Sequence, residues 1–166
     1  MIVVADTTPI RHLVAIRRIE LIPSLYGELL IAEAVMQELL AESTPPAVKA
    51  WMQKGADWLL VAAPSKSQAL EPDLLELDPG EIDAIRLAEE RNADLILIDD
   101  RMGREAAMRR GLRVAGTVGI LEEADRLGLI PDFERALAEL EESRFYLSKS
   151  FRELVLARFR ERRSKK

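Results

Sequence analysis

The sequence predicts an α/β fold, with a central, mostly parallel sheet of five strands, helices on both faces and a helical C-terminal stretch. Three observations carry this. Leu95 to Ile98 is an unbroken aliphatic run, the mark of a strand buried on both faces as in a helix-covered parallel sheet. Short apolar runs alternate with amphipathic helical patterns from residue 2 to residue 126, the order that right-handed crossovers turn into one parallel sheet. And the runs at Ile2 and Leu95 both end in acids, Asp6 and the pair Asp99 and Asp100. The carboxyl ends of strands are where open α/β sheets hold their ligands.

The elements follow in order. Ile2 to Ala5 reads as the first strand. Thr8 as N-cap and Pro9 in the first turn predict a helix to Arg17, with Ile10, Leu13 and Val14 inward. Leu29 to Ile31 reads as a strand and Glu33 to Glu42 as a helix with Val35, Leu39 and Leu40 on one face. After Pro45 and Pro46 a helix runs from Ala47 to Lys54 and stops at Gly55. Trp58 to Ala62 is the third strand, and Pro64 to Pro72 a surface linker that starts no second domain. Asp78, Pro79 and Glu81 have the spacing of a capping box opening a helix to Arg91. The central strand follows, then a helix from Arg101 to Arg110 closed by Gly111 and a strand from Leu112 to Ala115. Thr117 caps a helix to Arg126, Asp132 opens one to Ser143, and Ser150 with Glu153 boxes the last, Phe151 to Arg162. Its apolar side is Phe151, Leu154, Val155 and Phe159.

With 166 residues, 48% hydrophobic and 32% charged, the chain is long enough for one sizeable core. The whole is expected to form one domain, with 131–166 as a helical extension and basic tail. The absence of cysteine excludes disulfides, thiolate metal sites and a cysteine nucleophile, and agrees with a reducing, cytoplasmic setting. No run approaches the ~20 apolar residues of a membrane span, and the opening run has no basic lead, so neither membrane nor signal peptide is expected. The net charge of −5 is uneven: RFRERRSKK at the end carries a local +5. That tail either draws a polyanion toward an acidic body or is a solvated, frayed end.

The chemistry lies in carboxylates. There is no Gly-rich phosphate loop, dinucleotide fingerprint or Gly-x-Ser-x-Gly elbow, and the lone histidine, His12, reads as a packing or surface residue. Asp6, Glu38, Glu81, Asp99 and Asp100 stand at strand ends or near helix starts. Such hard oxygen donors without soft ones suit Mg²⁺ or Mn²⁺ and phosphate oxygens. By spacing alone, Glu81 is equally the capping-box partner of Asp78, Glu38 a solvated helix acid and Asp100 the cap of the next helix. LILIDD also has the look of a receiver-type acidic pair, although the later aspartate and lysine of a phosphoryl-transfer site do not follow Ala115.

The segments VVADTTPI, IAEAVMQEL, LDPGEIDAIRLA, LILIDDRMGREAA and GTVGILEEADRLGLI, in this order, resemble the PIN-domain family, closest to its VapC-like branch, over roughly Ile2 to Ile130. FYLSKSFRELVL near the end is similar to that branch as well. The resemblance implies a three-layer PIN-like sandwich and a Mg²⁺- or Mn²⁺-dependent endoribonuclease, with Asp6, Glu38, Glu81 and Asp99 or Asp100 as its acids. Asp83, just before Ala84, competes with Glu81 for the third place. Thr7 or Thr8 corresponds to a hydroxyl that holds water at the metal, and Arg104 either meets a phosphate or pairs with an acid. The resemblance further implies an RNA substrate, a small antitoxin partner and a homodimer. A non-catalytic module that binds RNA or protein is the alternative.

Overall fold

The computed structural model describes residues 1–65 and 69–165. Five strands, β1 (Val3–Ala5), β2 (Leu29–Ala32), β3 (Leu59–Ala62), β4 (Leu95–Leu97) and β5 (Val114–Ala115), form one sheet in the order β3-β2-β1-β4-β5. Every pairing is parallel, with Ala5 opposite Ile31 on one side and Leu97 on the other. Consecutive residues of a strand face opposite sides. Val3, Val4 and Ala5 are all buried, as are Ile96, Leu97 and Ile98, so both faces are covered at the centre. At the β3 edge, Leu60 and Val61 are exposed.

The crossovers carry α1 (Thr7–Ala15) and α2 (Leu21–Tyr26), then α3 (Glu33–Leu40) and α4 (Pro46–Lys54), then α5 (Pro79–Glu90), then α6 (Arg101–Arg109). Helices α7 (Thr117–Arg126), α8 (Phe133–Glu142) and α9 (Lys149–Ser164) follow. Helix α5 packs across β2, β1 and β4 and also against α3; α7 packs against β5, α2 and α8. One cluster of buried apolar residues runs from Val3 to Val155, so the C-terminal helices share the core of the sheet. Among the described residues no helix is long and apolar enough to cross a membrane.

Several expected boundaries move. Helix α1 starts at Thr7 with Asp6 in the N-cap position, not Thr8, and Pro9 stays in the first turn, where its missing N–H has no acceptor to satisfy. Gly116, not Thr117, precedes α7, because the Thr117 hydroxyl is engaged elsewhere. Ser148, not Ser150, caps α9, accepting from the Phe151 N–H at 3.2 Å. Helix α2 was not expected; it is six residues long with Pro23 inside, too short to show a period, and it forms because Leu21 and Ile22 bury. The linker ends in a 3₁₀ turn, Pro72–Leu74, and its residues 66–68 lie outside the described residues. Arg110, at the end of α6, ties that turn down by pairing with Glu71, with Asp73 at 2.9 Å and with Glu89 of α5 at 3.0 Å.

Much of the basic end is ion-paired. Arg158 and Arg162 pair with Glu122 of α7 at 2.9 and 3.2 Å, and Arg162 and Arg163 reach Asp125 at 3.5 and 3.8 Å. Phe159 stacks on Phe133 with centroids 5.0 Å apart. Val155 and Phe159 turn inward, whereas Phe151 and Leu154 are exposed, so only half of the expected apolar side is used.

Candidate active site at the strand switch point

From β1 the chain winds to β2 and β3 on one side, then returns through β4 to β5 on the other. The crevice between β1 and β4 is therefore the switch point, where helices leave the strand ends in opposite directions and open a cleft. Asp6 directly follows β1 and Asp99 lies just past β4. The two strand ends remain joined there by the Asp6 N–H donating to the Leu97 carbonyl at 2.9 Å.

Asp6 is 2% exposed, and among the described residues nothing hydrogen-bonds its Oδ1. Burial pushes its carboxyl up to about 7, the charges of Glu81 and Glu38 push the same way, and the amides of Thr7 and Thr8 oppose them. These influences put Asp6, Glu38 and Glu81 in one electrostatic cluster, although they are separated by up to 75 positions of sequence.

Two elements hold Glu38 in place. The Thr7 hydroxyl donates to its Oε2, and the N–H of Gly80, in the first turn of α5, donates to Oε1 at 2.9 Å. A free helix N-terminal amide is thus spent on a carboxylate from another helix. Gly80 has to be glycine for this arrangement: a Cβ there would lie 2.5 Å from both Glu38 oxygens. Glu81 comes next in line. Its Oε2 accepts from the Asp78 N–H at 3.1 Å, completing the capping box, and it is buried beside the other acids. Burial raises its pKa, with Asp100, Asp78 and Glu38 adding to the rise against the bond from Asp78. Asp83, one position beyond Ile82 on the same helix, answers instead to burial and to the charge of Arg86.

Asp99 is held from the other side. Thr117 donates twice, its N–H to Oδ1 at 2.7 Å and its hydroxyl to Oδ2 at 2.6 Å. Burial still raises the Asp99 pKa over those bonds and over the nearby charges of His12 and Arg104. Arg104 donates to the Ile98 carbonyl at 3.1 Å, and a Cβ on Gly116 would strike both Arg104 Nη1 and Asp99 Oδ1 at 2.8 Å. Asp100 caps α6, its Oδ2 accepting from the N–H groups of Met102 and Gly103 at 2.8 and 3.1 Å, while its charge bears on Glu81. His12 packs edge-on against Phe145 at 4.8 Å, and burial lowers its pKa.

The sequence reading gave no site role to Thr117 or to glycines 80 and 116. The available signal was position: Gly116 and Thr117 follow β5 as Asp6 follows β1. Gly103 belongs with them, since a Cβ there would lie 2.5 Å from Ile98 Cδ1 and 3.4 Å from Glu81 Oε1.

Among the described residues no three His, Asp or Glu side chains already stand as a metal-ligating group. Thr7, Gly80, Asp78 and Thr117 engage oxygens of Glu38, Glu81 and Asp99. The residues nevertheless fit a hard divalent cation. Asp6 Oδ1 is buried without a donor, neighbouring carboxylates disfavour its charge, and every donor in the cluster is oxygen. A cation is the partner that reverses the first two of these, and oxygen ligands suit a hard one.

A parallel sheet with acids gathered outside its switch point makes this an α/β module with an acidic candidate site at the strand ends. The chain belongs to the PIN domain family: the family model DUF3368, described as a PIN domain, matches residues 2–161. No curated protein matches the chain.

Proposed function

We propose that the protein is a Mg²⁺- or Mn²⁺-dependent endoribonuclease that hydrolyses phosphodiester bonds at the β1/β4 cleft. The observation that carries the reading is the buried, donorless Oδ1 of Asp6 among Glu38 and Glu81, on a fold of the PIN family. Asp6 would hold the ion, with Glu38, Glu81 and Asp99 around it and Asp100 at the rim. When bound, the ion supplies charge neutralisation for the phosphate and acidifies water for attack in line. Asp6 would hold it in the ionised, carboxylate form. Thr7 and Gly80 keep Glu38 aimed, Thr117 keeps Asp99 aimed, and a carboxylate accepts the proton of the attacking water. Arg104, beside Asp99, faces the negative charge of the substrate. Membership of the toxin branch, with an antitoxin and a dimer, belongs to this proposal as its biological setting.

Asp6→Asn and Asp99→Asn each remove ligand charge at constant volume. Both are expected to lose RNA cleavage in Mn²⁺ while keeping a cooperative melt. Wild-type rates from both variants would sink the reading.

The hydrogen bonds that already occupy Glu38 and Asp99 favour a second reading, a module that binds RNA without cutting it. Melting in millimolar Mn²⁺ separates the two, because a real ion site raises the transition by mass action.

A further inference from the structure

Thr8, Arg11, His12 and Ala15 recur at helical spacing along α1 and so share one of its faces. That face is one wall of a pocket of about 320 Å³. Ser143 and Arg144, where α8 ends, make a second wall, and Pro45 and Val48, where α4 begins, a third. Among the described residues no Asp or Glu lines it. Asp99, whose charge reaches His12, lines a different groove.

Four side chains of the wall are donors without an acceptor. Among the described residues the Thr8 hydroxyl, the His12 ring and the guanidinium groups of Arg11 and Arg144 make no hydrogen bond or ion pair. Arginines that merely face solvent are common on this chain; these two share one concave wall with an imidazole and a hydroxyl. Arg144 also stands where the backbone resists it. Its φ is +69°, and at the ends of α2, α4, α6 and α7 the chain fills left-handed positions with Gly27, Gly55, Gly111 and Gly128. Arg17 and Asn92 are the other non-glycine cases. An arginine kept in a strained position points to a use for its guanidinium.

Two fixed positive charges on one small volume select a compact dianion, and hydroxyl and imidazole donors suit its oxygens. With a second pKa of ~6, a phosphomonoester is such a dianion above neutral pH, whereas a phosphodiester carries one charge. The volume falls within the roughly 300–1,000 Å³ of small-molecule sites, and Ala15, Pro45 and Val48 give it an apolar side.

We infer that the pocket between α1 and the end of α8 binds a phosphate dianion, free or as the phosphoryl end of a small monoester, through Arg11, Arg144, Thr8 and His12. None of the acids assigned to the β1/β4 cleft lines it, so the inference goes beyond the nuclease reading and does not depend on it.

The test is titration of the full chain in EDTA at fixed pH, followed by NMR of the imidazole carbons and protons. His12 is the only histidine, so its signals need no assignment. Sodium chloride at matched ionic strength, orthophosphate, adenosine 5′-monophosphate and dimethyl phosphate are added in turn. Orthophosphate and the nucleotide are expected to shift the His12 signals saturably. Dimethyl phosphate, a singly charged diester, should bind at least about tenfold more weakly, having lost one charge-assisted interaction. Nucleotide binding tighter than orthophosphate identifies a monoester as the ligand, and equal or weaker binding identifies the free ion. Arg11→Gln and Arg144→Gly should each weaken phosphate binding by about tenfold or more. Glycine adopts the backbone of residue 144 without strain, so Arg144→Gly loses affinity at an undiminished melting temperature. Arg101→Gln, at an exposed arginine outside the pocket, should bind as wild type does. The same shift with chloride alone, no saturation in the millimolar range, equal binding of dimethyl phosphate, or unchanged affinity in both pocket variants overturns the inference.

Discussion

Asp6 holds a conflict between fold and charge. In the unfolded chain its pKa is 3.8, and in the fold it is about 7. Between those values the folded state binds more protons than the unfolded one, so stability falls as pH rises. The favourable contribution of the neutral form is fully present below 3.8 and is lost as pH climbs through 7. Glu81 and Asp99, also raised, add slopes of the same sign. In EDTA the melting temperature is thus expected to drop between about pH 5 and 8. Asp6→Asn should flatten that drop and be the more stable protein at pH 8, by roughly 2–4 kcal/mol. Mn²⁺ should raise the melt of wild type and leave that of Asp6→Asn nearly unmoved. A variant that melts below wild type at pH 8 without metal would show that Asp6 carries no such cost. A site that opposes its own fold until a ligand arrives is the usual trade between stability and function.

Among the elements, the first turn of α5 does the most. Asp78 and Glu81 cap each other, Gly80 lends its N–H to Glu38, and the missing Cβ of Gly80 leaves room for that carboxylate. A methyl at residue 80 would meet the far end of a flexible side chain, which can swing away, so Gly80→Ala is expected to fold with a change within about 1 kcal/mol. Cleavage should fall at least tenfold, since Glu38 can no longer reach both Thr7 and the α5 amide. Loss of activity together with loss of the cooperative melt would instead mean that Gly80 serves packing. The capping box of α5 was legible because its partners are three residues apart. The caps of α1, α7 and α9 lie one or two residues from where local sequence puts them, because it offers several eligible hydroxyls and acids at each start. Tertiary demand chose among them: Asp6 and Thr117 belong to the site, and Ser148 rather than Ser150 meets the α9 amides.

Across the molecule, α9 closes the structure through Phe133 and the acidic face of α7. Phe133 is fully buried, stacks on Phe159 and lies 5.6 Å beneath the Arg162 guanidinium. Phe133→Ala is expected to cost about 3–5 kcal/mol, measured by urea unfolding, because it removes the ring and leaves its neighbours facing a void. Phe151 and Arg158 of α9, with Phe145 and Tyr146 of the loop before it, line a groove that opens at Asp99, so the same variant should lower RNA cleavage along with stability. A cost below about 1 kcal/mol would mean that α9 is only loosely attached. The basic end was legible as composition, but its use was not. Glu122 and Asp125 lie more than thirty residues away, and only the packing of α9 on α7 turned a polyanion candidate into an ion-paired seam.

Sequence by itself determined the alternation of strand and helix, the parallel sheet and the strand-end positions of Asp6 and Asp99. These follow from local hydrophobic period and from the rule that parallel strands are joined by crossovers. Tertiary structure alone decided which carboxylates meet, that Glu81 rather than Asp83 lies in the cluster with Asp6, and that Thr117 holds Asp99. It also decided that glycines 80, 103 and 116 are spaces left for site residues. Those outcomes depend on how helices from distant parts of the chain stack over the switch point, and no periodicity within one segment encodes that.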